Sequence, residues 1–138
     1  MVLDTTVLVY AVGTEHPLRE PCRLLVSKVG SGDLAATTTV EVIQEFAHVR
    51  ARRRGRADAA TLAGQFATLL APLVVIDADD LRAGLDLWST AEGIGAFDAV
   101  LAAAVLRRPH VTSLVSADAG FADVVGLRHL TPEDAARA

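Results

Sequence analysis

Four carboxylates in this chain resist the ordinary structural explanations for an acidic residue: Asp4, Glu45, Asp98 and Asp118. Asp4 interrupts the apolar run Met1-Val2-Leu3-Asp4-Thr5-Thr6-Val7-Leu8, with no Lys or Arg in the run to pair with it. A buried carboxylate needs a partner, a metal or a proton. Glu45 lies too far into its helix for a capping or dipole role. At about 100° per residue it falls at the border of an apolar arc, beside Val49, whereas Glu41 falls at the centre of the exposed face. Asp98 is the only charge between Glu92 and Arg107, among small apolar neighbours. Asp118 follows the apolar stretch Leu114-Val115-Ser116. Four like charges meeting at one place would raise one another's pKa values unless neutralised. An all-oxygen donor set of this kind selects a hard cation, Mg²⁺ or Mn²⁺, over zinc. Such a cation activates water for in-line attack on a phosphodiester.

Most of the 17 acidic residues have simpler explanations. Asp77, Asp79 and Asp80 stand before a helix, and Asp58 opens another. Glu133 and Asp134 belong to the tail. Glu41 completes a capping box with Thr38 as the N-cap. The histidines His16, His48, His110 and His129 are scattered and suggest no general base.

The elements that would position the four acids alternate between short apolar strands and amphipathic helices. Strands are expected at Met1–Leu3, Leu34–Ala36, Leu73–Ile76, Thr112–Ser116 and, more weakly, Leu127–Leu130. Helices are expected at Thr5–Ala11, from Pro17 to about Val29, from Thr38 to about Arg53, at Ala57–Leu70, at Leu81–Thr90 with Leu81, Leu85 and Trp88 facing inward, and at Ala96–Leu106. The tail from Thr131 forms at most a final turn. This alternation implies an α/β fold with a parallel sheet covered on both faces. Ligands then bind outside the carboxyl ends of the strands. Asp4 and Asp118 both fall at that rim.

Length and composition set the outer bounds. The chain has 138 residues, enough for one domain with a real core, so residues 1–138 are read as a single domain. Aromatic residues make up only 4%, so the core is built mostly from Ala, Val and Leu. The net charge of −4 argues against a passive nucleic-acid binder, though not against a site whose acids are neutralised by metal. Cys22 is alone, which excludes an internal disulfide and a cysteine metal cluster. No apolar run reaches the roughly 18 residues of a membrane span, and no leader is evident. A cytoplasmic location is expected. Lys28 is the only lysine, while Arg50, Arg52, Arg53, Arg54 and Arg56 cluster. Arginine's fork suits bidentate phosphate contact, so this cluster is a candidate contact for RNA or for an acidic protein partner.

The segments Val2-Leu3-Asp4-Thr5-Thr6-Val7-Leu8, Val42-Ile43-Gln44-Glu45-Phe46, Gly95-Ala96-Phe97-Asp98-Ala99-Val100-Leu101 and Leu114-Val115-Ser116-Ala117-Asp118-Ala119-Gly120-Phe121, in that order, resemble the PIN domain. Within that family the chain resembles the VapC-type toxins of bacterial type II toxin–antitoxin pairs, over nearly its whole length. The resemblance implies a three-layer α/β/α sandwich around a parallel sheet of four to five short strands. It also implies Mg²⁺-dependent endoribonuclease activity, a VapB-type antitoxin partner and a homodimer. Its acidic quartet falls on Asp4, Glu45, Asp98 and Asp118, with Thr6 and Ser116 as supporting hydroxyls, Thr6 being preferred to Thr5. Asp123 is a less secure fifth acid. Three alternatives compete. A receiver-like regulator expects paired acids after the first strand and a lysine after the last, which are missing. A phosphatase of the haloacid-dehalogenase type expects an aspartate where Thr6 stands. A catalytically inactive PIN-fold binding module would not need all four acids.

Overall fold

A computed structural model describes residues 1–138, and it shows an α/β fold with a small parallel sheet. Strand β1 is Val2–Leu3, β2 is Leu114–Val115 and β3 is His129–Leu130, in the order β1-β2-β3. Val2 pairs with Leu114 and Leu3 with Val115; Leu114 pairs with His129 and Val115 with Leu130. The helices are α1 Thr5–Ala11, α2 Arg19–Ser31, α3 Val40–Arg54, α4 Arg56–Leu69, α5 Ala78–Thr90, α6 Ala96–Leu106 and α7 Pro132–Arg137.

The sheet therefore has three strands, where four to five were expected. The segments Leu34–Ala36 and Leu73–Ile76 are not strands. Only single parallel bridges form there, Val2 to Thr37 just past the first segment and Thr39 to Val74 within the second. Thr37 still exchanges backbone hydrogen bonds with Met1 and Leu3 at 3.0 and 2.9 Å. The sheet direction thus continues past β1, but each contact is one residue long because the chain passes at once into α3.

Every strand end feeds the same rim. Leu3 leads through Asp4 into α1, and Val115 leads through Ser116 to a 3₁₀ turn at Ala119–Asp123. The start of α3 also lies there, because buried Thr38 donates its hydroxyl to the Leu3 carbonyl at 2.6 Å. The N-cap of α3 is Thr39, whose side chain accepts from Val42 N–H at 3.1 Å. The expected capping box of Thr38 with Glu41 is thus absent. With Thr39 as cap, the reciprocal position belongs to Val42, and Thr38 is spent on the sheet.

The core is one cluster that runs from Val2 and Leu3 through Leu25, Phe46 and Leu101 to Phe121 and Ala136. Phe46 meets Phe66 edge to face at 5.1 Å, which joins α3 to α4. Lys28 spans from α2 to the last turn of α7, donating to the Ala136 carbonyl at 2.8 Å. Cys22 is fully buried, and burial pushes its thiol up to about 12.

Helices α5 and α6 pack closely because Gly84 has no side chain; a Cβ there would sit 2.5 Å from Val100 Cα. Asp80 clamps the same pair. It is fully buried and binds Arg107 at 2.7 Å and Arg108 at 2.8 Å, as well as closing a capping box with Asp77. The Arg108 guanidinium, aided by the Asp77 backbone N–H and Arg107, holds the Asp80 carboxyl down at about 2 against the cost of burial. A helix cap alone was expected of this residue. Leu81, Leu85 and Trp88, expected to face inward, are 47%, 42% and 49% exposed. The apolar stripe is real, but nothing in the chain covers it.

Candidate active site

The rim of the sheet opens into a cleft of about 330 Å³ whose lining includes Asp4, Thr5, Thr6, Glu45, Asp98 and Asp118. The acids come from four segments: the end of β1, the second turn of α3, the first turn of α6 and the turn after β2.

Asp4 is 3% exposed, and all its side-chain hydrogen bonds go to one oxygen. Oδ2 accepts from Ser116 Oγ at 2.6 Å, from Thr6 Oγ1 at 2.9 Å and from Thr6 N–H at 3.4 Å. Asp4 thereby caps α1 with one oxygen, and the other takes no hydrogen bond from the protein. Ser116 and Thr6 extend the network. Ala117 N–H donates to Thr6 Oγ1 at 3.0 Å, and Asp118 N–H donates to Ser116 Oγ at 3.0 Å. The two hydroxyls thus tie the Asp4 turn to the Asp118 turn. Asp118 is exposed, and its Oδ1 accepts from Gly120 N–H at 2.8 Å.

Glu45 is held by Thr5, whose hydroxyl donates to Oε2. Thr5 is therefore a lining residue in its own right, although the sequence favoured Thr6. Both hydroxyls contribute, Thr6 to Asp4 and Thr5 to Glu45, because α1 starts between the two acids. Asp98 is half-buried and takes no capping role, the N-cap of α6 being Gly95. Burial pushes its carboxyl up to about 7, and the charges of Asp4, Asp118 and Glu45 push in the same direction. Burial is the larger cause of the raised value, and the three facing acids add to it.

The other sequence candidates divide. Arg53 lines the cleft, two turns beyond Glu45 on α3, with Val49 between them. Arg50 does not. Its guanidinium forks onto the Asp58 carboxylate and donates to the Val12 carbonyl at 3.0 Å. It joins α3 to α4 and α1, and is not available to an outside partner. Arg52, Arg54 and Arg56 are exposed but lie outside the cleft. Asp123 is exposed on the 3₁₀ turn and does not line the cleft either. No histidine lines it; His129 Nε2 instead meets the Ser116 carbonyl at 3.0 Å. Glu41 is not on the exposed face. It is half-buried and lines a separate apolar groove with Leu81, Leu85 and Phe97, its Oε2 buried without a hydrogen bond. Tyr10 lines the acidic cleft, and sequence reasoning missed it. Its only signal was its place one helical turn after the threonines.

The side chains do not form a closed ligand shell, since no three His, Cys, Asp or Glu groups are arranged around one point. The donor set nevertheless fits a hard divalent cation: it is all oxygen, carries up to four negative charges and includes an acid whose charge is already disfavoured.

Comparison with known proteins agrees with this geometry. The family model of the PIN domain matches residues 1–127. Ribonuclease VapC7 of Mycobacterium tuberculosis is 52% identical over 139 aligned positions, covering 98% of this chain and 93% of the relative. Ribonuclease VapC13 of the same organism is 30% identical over 134 positions, covering 94% and 98%. A VapC ribonuclease of Mycobacterium bovis matches to the same extent. The chain belongs to the PIN-domain family and, within it, to the VapC type.

Proposed function

We propose that this protein is a metal-dependent endoribonuclease, the toxin of a type II toxin–antitoxin pair. The observation that carries this reading is the convergence of Asp4, Glu45, Asp98 and Asp118 on one cleft, with Asp98 raised toward neutrality by burial and by the other three. The ribonuclease names of the VapC relatives support it.

In this reading the four carboxylates hold Mg²⁺, with Mn²⁺ as a substitute of the same donor preference. A bound cation supplies an activated water and neutralises charge at the phosphate. The protein's own groups prepare that state. Ser116 and Thr6 fix the Asp4 carboxylate through Oδ2, and Thr5 fixes Glu45 through Oε2, so both acids are oriented before any ligand arrives. With its carboxyl pushed up to about 7, Asp98 is only partly ionised at neutrality, and a cation held beside it would favour the ionised form. A VapB-type antitoxin is the proposed protein partner. A homodimer is proposed as well, supported by the uncovered stripe of Leu81, Leu85 and Trp88 on α5. No helix is long and apolar enough to cross a membrane, and a cytoplasmic site of action is part of the proposal.

The test is cleavage of RNA by the purified chain in Mg²⁺, with Asp4→Asn and EDTA as controls. Cleavage is expected in Mg²⁺ alone. Equal cleavage by Asp4→Asn, or in excess EDTA, overturns the reading.

A further inference from the structure

One wall of the cleft is not used by the carboxylate chemistry. It is formed by Val9, Tyr10, Val49 and Arg53. Tyr10 is the chain's only tyrosine. Its ring stacks on the imidazole of His16, with centroids 4.4 Å apart and planes within 24°. Tyr10 is half-buried and His16 is exposed, so the stack carries aromatic surface from the cleft out to solvent.

The stack is built, not incidental. Leu18 N–H donates to His16 Nδ1 at 3.1 Å, which fixes the imidazole. Gly13 N–H donates to the Tyr10 carbonyl at 3.2 Å and turns the chain back toward the helix it has just left. That turn requires glycine, because a Cβ at Gly13 would sit 2.9 Å from the Val9 carbonyl oxygen. Arg53 is the only cation lining the cleft, and it takes part in no ion pair. A phosphodiester approaching four carboxylates needs such a charge. Aromatic and imidazole faces stack unpaired bases with little regard to sequence, and a guanidinium matches phosphate oxygens.

We propose that Tyr10, His16 and Arg53 form a nucleotide subsite beside the carboxylates, in which an unpaired base stacks on the Tyr10–His16 pair and Arg53 contacts its phosphate. The proposal rests on the ribonuclease reading and adds to it a defined place for one unpaired base beside the carboxylates. A duplex keeps its bases stacked inside and cannot use the pair.

The experiment measures binding separately from cleavage. Fluorescent oligoadenosine and oligouridine, and a duplex of equal length, are titrated in Mg²⁺ against Asp98→Asn protein, chosen to suppress cleavage, with the oligonucleotide checked on a gel to be intact at each point. Single strands are expected to bind more tightly than the duplex. On that background Tyr10→Leu and Arg53→Gln are each expected to weaken single-strand binding on the order of tenfold, the lower part of the range for a lost base stack. Tyr10→Phe retains binding, which controls for folding. An abasic scan is expected to find one position whose loss weakens binding to Asp98→Asn but not to the double variant with Tyr10→Leu. Binding unchanged by Tyr10→Leu, or abasic sensitivity that persists in that variant, overturns the subsite. If the unsubstituted protein fails to cut RNA while this binding pattern holds, the catalytic reading fails and the subsite stands. Cleavage without the pattern has the opposite meaning.

Discussion

Ser116 donates its hydroxyl to Oδ2 of Asp4 at 2.6 Å, a buried hydrogen bond that joins residues 112 positions apart. It connects the two strand ends whose turns carry Asp4 and Asp118, and it engages Oδ2 while Oδ1 takes no hydrogen bond from the protein. Removing it leaves a buried carboxylate with one fewer donor and a freer rotamer. Ser116→Ala is therefore expected to lower cleavage about tenfold, at the low end of what a lost supporting contact costs a metal ligand. The loss should be partly recovered at high Mg²⁺. Titrating Mg²⁺ against initial rate checks it, and an unchanged half-saturating Mg²⁺ concentration would refute the orienting role.

Asp98 links the cleft to folding stability. Its folded-state carboxyl is raised to about 7 from the ordinary 3.8. The cation-free folded state therefore binds more protons than the unfolded chain between those values. The stability from this group is complete below pH 3.8 and is lost as pH rises through about 7. Asp98→Asn removes the ionisable group, so the cation-free variant should gain stability relative to the parent across that interval and hold the gain above it. Adding Mg²⁺ should raise the parent's melting temperature more than the variant's, since a ligand stabilises only what it binds. Paired thermal melts from pH 4 to 8, with EDTA or with Mg²⁺, measure both. A parent-to-variant difference independent of pH would show that Asp98 is not coupled to the other acids.

Three of the four acids were legible because each breaks a local rule: a charge inside an apolar run, a glutamate past the dipole's reach, an isolated charge in an alanine-rich helix; Asp118 breaks none and is marked only by its place just past a strand. The strand ends placed Asp4 and Asp118 at one rim, and the helix period put Glu45 at the border of its apolar arc. What failed was set by tertiary contacts. Three consecutive threonines, Thr37 to Thr39, offer equivalent caps, and the bond from Thr38 to Leu3 across the sheet decides among them. The missing strands are apolar enough, but each pairs for one residue before the chain turns away. The period of α5 marks Leu81, Leu85 and Trp88 as one stripe without saying what covers it. Arg50 cannot be told from its arginine neighbours until Asp58 is seen against it.

Asp80 predicts the acid limit of the fold. Its carboxyl is held at about 2, below the ordinary 3.8, chiefly by the hydrogen-bonded Arg108. The unfolded chain thus binds more protons than the folded one in that interval. The stabilisation is complete above pH 3.8 and is lost as pH falls toward 2. Asp80→Ala leaves Arg108 without its carboxylate, while Arg107 keeps Asp77 at 3.2 Å; because both guanidinium groups reach solvent, the expected cost at neutral pH is about 3 kcal/mol, the low end of the range for breaking a buried ion pair from one side. Denaturant unfolding at pH 7 and pH 3 tests this; the variant should lose less than the parent between the two. An equal loss would place the pair's stabilising role elsewhere.

Gly84→Ala sets two effects of opposite sign against each other. Alanine in a helix interior is favoured over glycine by about 1 kcal/mol. The new methyl would stand 2.5 Å from Val100 Cα and 2.9 Å from Val100 N, both backbone atoms that cannot rotate away. Relief requires α6 to move off α5, against the Asp80 clamp at its far end, and overpacking of this kind costs about 1–3 kcal/mol. The steric cost should win, leaving a net loss of stability of about 1 kcal/mol, the middle of the difference between the two effects. Because Asp98 sits two residues before Val100, the displacement should also reduce cleavage at saturating RNA more than Gly64→Ala does, a substitution on α4 with open space around it. Urea unfolding and steady-state cleavage of the two variants decide it: a Gly84→Ala protein more stable than its parent would show that α6 yields freely, and that the close α5–α6 contact does not fix the position of Asp98.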